Sequence, residues 1–274
     1  MRDGGTPSRT AYAVAVRRAI HQQIDRPLVF EDPLAIKMVD PAHLTDEMAA
    51  ARLLRAFLVV RSRFAEDTLA DAVSAGVHQY VLLGAGLDTF AYRNPYGDMR
   101  VFEVDHPATQ AWKRSILETA GIAASRLLTF VAIDFERETL AEGLAQAGFD
   151  AEQPAFFAWL GVVPYLTAYA VAHTLHFIGS RKPRSGVAFD YATDPALLPP
   201  AQREAAHTLA ARVARAGEPF RSFFDPNALA GVMRRSGFSI VDDWDAHRIN
   251  TRYFSGRSDG LRVAGAGRLM RAVV

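Results

Sequence analysis

Cysteine is absent from all 274 residues. Its absence removes disulfides, thiol nucleophiles, Cys-ligated zinc and iron–sulfur clusters at once. It also removes the stapled secreted scaffold, so cytoplasm is the expected compartment. No His and carboxylate cluster stands at ligand spacing, so no metal is expected. A dominant charge is missing too: 31 Lys and Arg stand against 30 Asp and Glu, a net charge of +1. A chain so balanced has no broad electrostatic surface to offer, and no nucleic-acid partner is expected. The opening MRDGGTPSRTAYAVAVRRAI lacks an apolar stretch ending in a small-residue cleavage site, so it does not read as a signal peptide. Fixed-period repeats and long low-complexity runs are also lacking. One uncharged stretch, 153–172 (QPAFFAWLGVVPYLTAYAVA), has the length of a membrane span. Gly161 and Pro164 interrupt it, however, and an aromatic half gives way to an Ala-rich half. A buried strand, a loop and the start of a helix account for it, and no membrane partner is expected.

What is present is a real core: half the residues are hydrophobic and 22% are charged, and one α/β domain fills this length. Apolar residues at helical spacing mark 10–24. Glu31-Asp32-Pro33 and Asp225-Pro226 each read as an N-cap followed by Pro in the first turn. A helical stretch over 45–76 closes at Gly76. Four short apolar runs follow at 79–83, 100–104, 128–133 and 155–160, with helix-patterned segments at roughly 106–120, 136–147 and 167–178 between them. Alternation at this spacing predicts a parallel sheet with helices on both faces. A fifth strand lies at 185–191. FSIVDDW (238–244) and GRLMRAVV (267–274) predict two closing strands, antiparallel and joined by a long polar loop. The expected organisation is a single domain over 1–274: a helical cover (1–75), a ligand-binding core (76–191), a helical insertion (192–224) and a C-terminal helix with a strand pair (225–274).

The chemistry concentrates in YVLLGAGLDTFAYR (80–93). A buried strand runs into Gly84-Ala85-Gly86, where missing side chains let the backbone approach a ligand. The third glycine of a dinucleotide fingerprint is absent, which counts against a pyrophosphate on a helix start. Asp105 follows Gly86 by 19 residues, where an acid accepts from ribose hydroxyls. Glu103, on the same side of that strand, is the alternative. Asp134 closes the third strand, with Phe135 beside it, and together they suit an adenine. Arg61 lies in an apolar helix, where a guanidinium can clamp a carboxylate with two hydrogen bonds or pair with Glu66 or Asp67 instead. Glycine turn, ribose acid and adenine acid together point to an adenosine-containing ligand.

These residues resemble the leucine carboxyl methyltransferase-like family of class I S-adenosylmethionine-dependent methyltransferases, in particular its bacterial O-methyltransferase branch. The matching pieces are RPLVFEDPLA (26–35), VRSRFAEDTL (60–69), LLGAGLDTFAYR (82–93), VFEVDHPATQAWKR (101–114), VAIDFE (131–136), WLGVVPYLT (159–167) and RYFSGRSDGLR (252–262), in order along nearly the whole chain. The resemblance implies a Rossmann-like α/β fold whose seven-stranded sheet has one antiparallel strand near its edge. It implies S-adenosyl-L-methionine as cofactor. Arg61 would take its methionine carboxylate, Gly84 would lie beneath the same moiety with Ala85 and Gly86 also in the cofactor-binding turn, Asp105 would hold the ribose, and Asp134 and Phe135 the adenine. Where relatives acting on a protein terminus carry Glu-x-Val/Leu, this chain has Leu160-Gly161-Val162. A polar contact on the cofactor side is thereby lost, and a small-molecule acceptor is favoured.

The implied reaction is O-methylation of a small carboxylate or phenol by in-line transfer, in which the protein positions and desolvates. A carboxylate needs no general base, since it is already ionised. For other acceptors His21, His106 and His176 are conceivable bases, though structural roles account for each. Candidate acceptor contacts are Tyr12, Arg17, Tyr165, Tyr191, Phe223 and Arg252. Two other readings stay open: an NAD(P)-dependent oxidoreductase on a similar sheet, and an inactive relative that only binds the adenosine ligand.

Overall fold

Strands buried on both faces of a sheet read as unbroken apolar runs, and QYVLL at Gln79–Leu83 (β1) is buried at all five positions. The computed structural model describes residues 8–45, 51–134, 138–215 and 217–274. Around β1 it assembles β2 (Arg100–Asp105), β3 (Leu128–Ala132), β4 (Phe156–Trp159), β5 (Gly186–Ala192), β6 (Ile240–Trp244) and β7 (Gly267–Val273). The order is β3-β2-β1-β4-β5-β7-β6. All neighbours pair in parallel except β7, which is antiparallel to both β5 and β6. The fold is a Rossmann-like α/β sheet with one antiparallel strand next to its edge.

The helices are α1 (Arg9–Ile24), α2 (Arg52–Ser74), α3 (Pro107–Thr119), α4 (Leu140–Gln146), α5 (Ala168–Gly179), α6 (Pro200–Arg215), α7 (Pro226–Arg235) and α8 (Ala246–Tyr253). Alternation along β1 divides the core. Tyr80 and Leu82 face α2 through Val60 and Phe64 and α8 through Ile249. Val81 and Leu83 face α4, α5 and α7 through Leu144, Leu175 and Met233. A smaller cluster seats Ala15, Val16, Ala19 and Ile20 of α1 against Leu87 and Leu117, so α1 covers the sheet just beyond the end of β1. The uncharged stretch 153–172 resolves into β4, a single 3-10 turn (Val163–Tyr165) and the start of α5. No helix among the described residues is long and apolar enough to cross a membrane.

Two expectations are corrected. Asp32 does not cap a helix: it is fully buried and ion-paired to Arg18, and only a 3-10 turn follows at Ala35–Met38. Between β6 and β7 lies α8 rather than a plain loop. Its sequence AHRINTRY buries only Ile249, so an apolar stripe is too thin to show. The N-terminal helix expected from residue 45 begins at Arg52 among the described residues, and α4 begins at Leu140. The segment 193–224 closes on itself: Phe224 N–H donates to the Ala192 carbonyl (3.0 Å) and Asp194 N–H to the Phe224 carbonyl (3.0 Å). Within it α6 buries no residue.

Candidate active site

Register brings the key residues together. Leu83 pairs with Val104, so Gly84 and Asp105 leave the sheet side by side. Asp105 pairs with Ala132, which sets Asp134 two residues beyond the same edge. Trp159 pairs with Phe189, placing Leu160 beside Asp190. In open α/β sheets ligands bind at these carboxyl ends.

The glycine turn folds back on β2. The N–H groups of Gly84 and Ala85 both donate to the Val104 carbonyl, at 2.8 and 3.1 Å. Gly84 has φ +68°, and a Cβ there would lie 2.5 Å from Val162 Cγ2, so only glycine fits. Gly86 N–H donates to Asp105 Oδ2 (2.6 Å), and Asp105 Oδ1 accepts from His106 N–H (2.7 Å). His106 caps α3, its Nδ1 accepting from Ala108 N–H. No α-helix follows the turn, only a 3-10 turn at Phe90–Tyr92. A pyrophosphate would need free N–H groups at a helix start. Here the Gly86 N–H is taken by Asp105 and the Phe90 N–H by Asp88 (2.7 Å), which disfavours the dinucleotide reading.

The two acids of β2 separate. Asp105 sits half-buried at the strand end, whereas Glu103 is buried between β2 and α3 with Lys113 Nζ 2.7 Å away. Burial pushes the Glu103 carboxyl up to about 7 against the opposing pull of Lys113. Ile133 N–H donates to the Asp105 carbonyl (3.0 Å), and Asp134 follows, half-buried. Phe135 lies outside the described residues.

Opposite the glycine turn, at a charged corner, the expected Arg61 meets a partner absent from the sequence-based set, Asp190. Arg61 on α2 is buried and donates through Nη1 to Asp190 Oδ2 (3.1 Å). Asp190 Oδ1 accepts from Gly161 N–H (2.6 Å). Gly161 has φ +70°, and a Cβ would come within 2.7 Å of Arg61 Nη2. Arg61, Asp190, Gly161 and Val162 thus run in contact to Gly84. Leu160 packs beside them on the α2 core. Asp190 had one signal in sequence, as the first charged residue in the apolar run SGVAFDY.

A second missed feature explains the letters after the glycines. Arg18 of α1 pairs with Asp32 and reaches Thr89 Oγ1 (2.9 Å) and Asp88 (3.4 Å). Thr89 donates to Asp32 (2.7 Å), and Arg93 grips Glu66 of α2 with two nitrogens. Asp88, Thr89 and Arg93 therefore tie α1 and α2 to the turn.

Residues 11–179 match the leucine carboxyl methyltransferase family. The chain belongs to that family. S-adenosylmethionine is the cofactor of the family. Bacillus subtilis YktD, named for S-adenosyl-L-methionine-dependent methyl transfer, is 30% identical over 93% of each chain. A Mycobacteroides abscessus protein so named is 38% identical over 59% of this chain and 56% of its own. Among solved structures, a Thermobifida fusca protein described as a methyltransferase superposes with a TM-score of 0.60 at 17% identity, over 99% of this chain and 96% of that one. A DUF574 family protein from Streptomyces avermitilis gives 0.58 at 13%, over 95% and 96%. These likenesses establish the fold.

The residues offered as acceptor contacts of this family member fall into separate places. Tyr165 is half-buried beside the charged corner, edge-on to Phe220 at 5.3 Å, and Phe220 meets Phe223 at 6.1 Å. Burial pushes the Tyr165 phenol up, while Arg61 and a hydrogen bond with Thr10 pull the other way. Thr10 and Ser8, at the start of α1, hydrogen-bond Glu218. Tyr12 instead turns to the 40–43 segment, where its hydroxyl meets His43 Nδ1 (2.9 Å) and accepts from Asp40 N–H (3.0 Å). Arg17 is buried and donates to the Ala13 carbonyl (2.9 Å). Tyr191 faces away from Asp190, donating to Asp243 (3.0 Å). Arg252 is exposed on α8 and lines an open cavity of about 640 Å³ with Trp244, Arg248 and Arg268. Of the histidines, His21 is fully buried: Nε2 accepts from Val29 and Phe30 N–H (3.1 and 3.3 Å) and Nδ1 meets Asp25 (2.8 Å). His176 is exposed in the last turn of α5, at the far end of the sheet.

Proposed function

We propose that the chain transfers the methyl group of S-adenosylmethionine to an oxygen of a small acceptor, a carboxylate or phenol. The observation that carries this reading is the Arg61 guanidinium, buried at the strand ends and in contact through Gly161 and Val162 with the glycine turn. When bound, the cofactor supplies an electrophilic methyl group on a sulfonium. Arg61 clamps its methionine carboxylate. Gly84, Ala85 and Gly86 let the backbone pass beneath it, and Leu160 supplies an apolar wall. Asp105, which accepts the Gly86 and His106 N–H groups at the strand end, takes the ribose hydroxyls. Asp134 and Phe135 hold the adenine. In this reading the chain is a single domain in which the cover (1–75) and insertion (192–224) close on the core (76–191) to exclude water, and 225–274 completes the sheet.

On the acceptor side Tyr165 lies by Arg61, and Phe220 and Phe223 extend the aromatic wall from it. His21 and His106 are engaged in backbone hydrogen bonds, and His176 is at the opposite end of the sheet. An acceptor that arrives ionised needs none of them, which favours a carboxylate.

Calorimetric titration tests the cofactor assignment. S-adenosylhomocysteine should bind and NADH should not, and Asp105→Ala should weaken binding by about tenfold. Unchanged affinity in that variant would overturn the ribose assignment. A methyl-label transfer screen across small carboxylates and phenols tests the reaction; label found only on nitrogen or carbon acceptors would refute O-methylation.

A further inference from the structure

The clamp arginine does not meet its ligand as a lone cation. Arg61 Nη1 lies 3.1 Å from Asp190 Oδ2, with side chains 10% and 5% exposed. The pair is neutral as a unit. A ligand bringing only a carboxylate to Arg61 would set a second anion close to Asp190 where little water screens it, and an uncompensated buried charge is costly. A ligand carrying an ammonium on the same carbon as the carboxylate removes that cost, because each charge meets its opposite.

Asp190 has room for such a partner. Oδ1 accepts from Gly161 N–H (2.6 Å) and Oδ2 from Arg61, which uses two of about four acceptor sites. Its position is fixed from two sides, by the backbone of the loop after β4 and by α2. Gly161 holds the space: its missing Cβ is what lets the guanidinium lie against the loop. The adjoining Val162 touches the glycine turn, so the pair faces the crevice in which Gly84 lies.

We propose that Asp190 binds the α-ammonium of the cofactor's methionine moiety while Arg61 binds its carboxylate, so that the site reads both charges of the amino-acid end. This inference rests on S-adenosylmethionine being the ligand of the crevice.

The test compares three probes by calorimetry on the full chain: S-adenosylhomocysteine, its analogue with a hydroxyl in place of the α-amino group, and 5′-methylthioadenosine, which lacks both charges. The wild-type chain should prefer S-adenosylhomocysteine to the hydroxy analogue by about ten- to a hundredfold. Asp190→Asn should lose that preference. It should bind S-adenosylhomocysteine about tenfold or more weakly, while holding the hydroxy analogue as well as before or more tightly, because Arg61 is then unopposed. Methylthioadenosine should be unaffected. If Asp190 only positions Arg61, the variant weakens both carboxylate-bearing probes equally, and the proposal is overturned. Should Asp190→Asn not fold, the wild-type comparison decides: equal affinity for the two carboxylate-bearing probes overturns it. Failure of the wild-type chain to bind either S-adenosylhomocysteine or methylthioadenosine would instead remove the cofactor reading beneath it.

Discussion

Gly161 is the residue on which the charged corner turns. A side chain there meets a φ of +70° and the Arg61 guanidinium 2.7 Å away. The backbone strain costs on the order of 1 kcal/mol, and the guanidinium, being the end of a flexible side chain, can move aside at little further cost. Gly161→Ala should therefore fold, with a small loss in denaturation midpoint, yet bind S-adenosylhomocysteine about tenfold or more weakly, since a bidentate clamp tolerates little displacement. A variant that lost as much stability as a core cavity mutant while keeping full affinity would show that Gly161 serves folding alone. At this scale the sequence was legible where geometry follows from local backbone. Gly84 and Gly86 needed no partner to be picked out. Asp190 was not legible, because its meaning comes from Arg61, 129 residues away. Glu103 and Asp105 looked alike in sequence because two residues along a strand share a face. Only the position of the strand end decides which of them reaches the crevice.

Elements were legible where burial imposes a clear period. β1 spans the residues its pattern predicts, and β2 and β5 differ by a residue or so. α8 escaped notice because one buried residue makes no stripe. Asp32-Pro33 misled because a capping residue type can equally serve a buried ion pair, and no local feature tells the two apart. The contact between β2 and α3 carries a pH dependence. In the unfolded chain the Glu103 carboxyl titrates near its ordinary 4.5, and in the fold near about 7. The native state thus holds a proton that the unfolded state releases. The contribution is complete below 4.5 and is lost as pH rises through about 7. Relative to a Glu103→Gln/Lys113→Met double variant, the wild-type chain should lose on the order of 3 kcal/mol across that window. Urea unfolding at several pH values measures it. A difference that stays flat with pH, or grows in the wild type's favour, would mean that Lys113 holds the carboxylate ionised in the fold.

At the scale of the whole molecule, two distant parts of the chain are tied over the crevice. The start of α1 touches the glycine turn: a Cβ on Gly86 would lie 3.3 Å from Ala11 Cβ. Ser8 and Thr10 hold Glu218, 210 and 208 residues away, in the segment that returns to the sheet at Phe224. Two distant parts of the chain thus close the same opening through one carboxylate, while the Arg18–Asp32–Thr89 network anchors the rest of α1 independently. Those two attachments should come apart in an experiment. Glu218→Ala should release only the first turn of α1 and the 217–224 segment. Both should then exchange amide hydrogens faster by about ten- to a hundredfold, which corresponds to roughly 1–3 kcal/mol of local opening. β1, β4 and the remainder of α1 should exchange as in the wild type. If exchange accelerated evenly through α1, the helix would be a single cooperative unit held from its start, and the buried network would not anchor it on its own. The same variant, titrated with S-adenosylhomocysteine, separates access from recognition. Arg61 and Asp190 stay in place, so association and dissociation should both quicken while the equilibrium constant changes little.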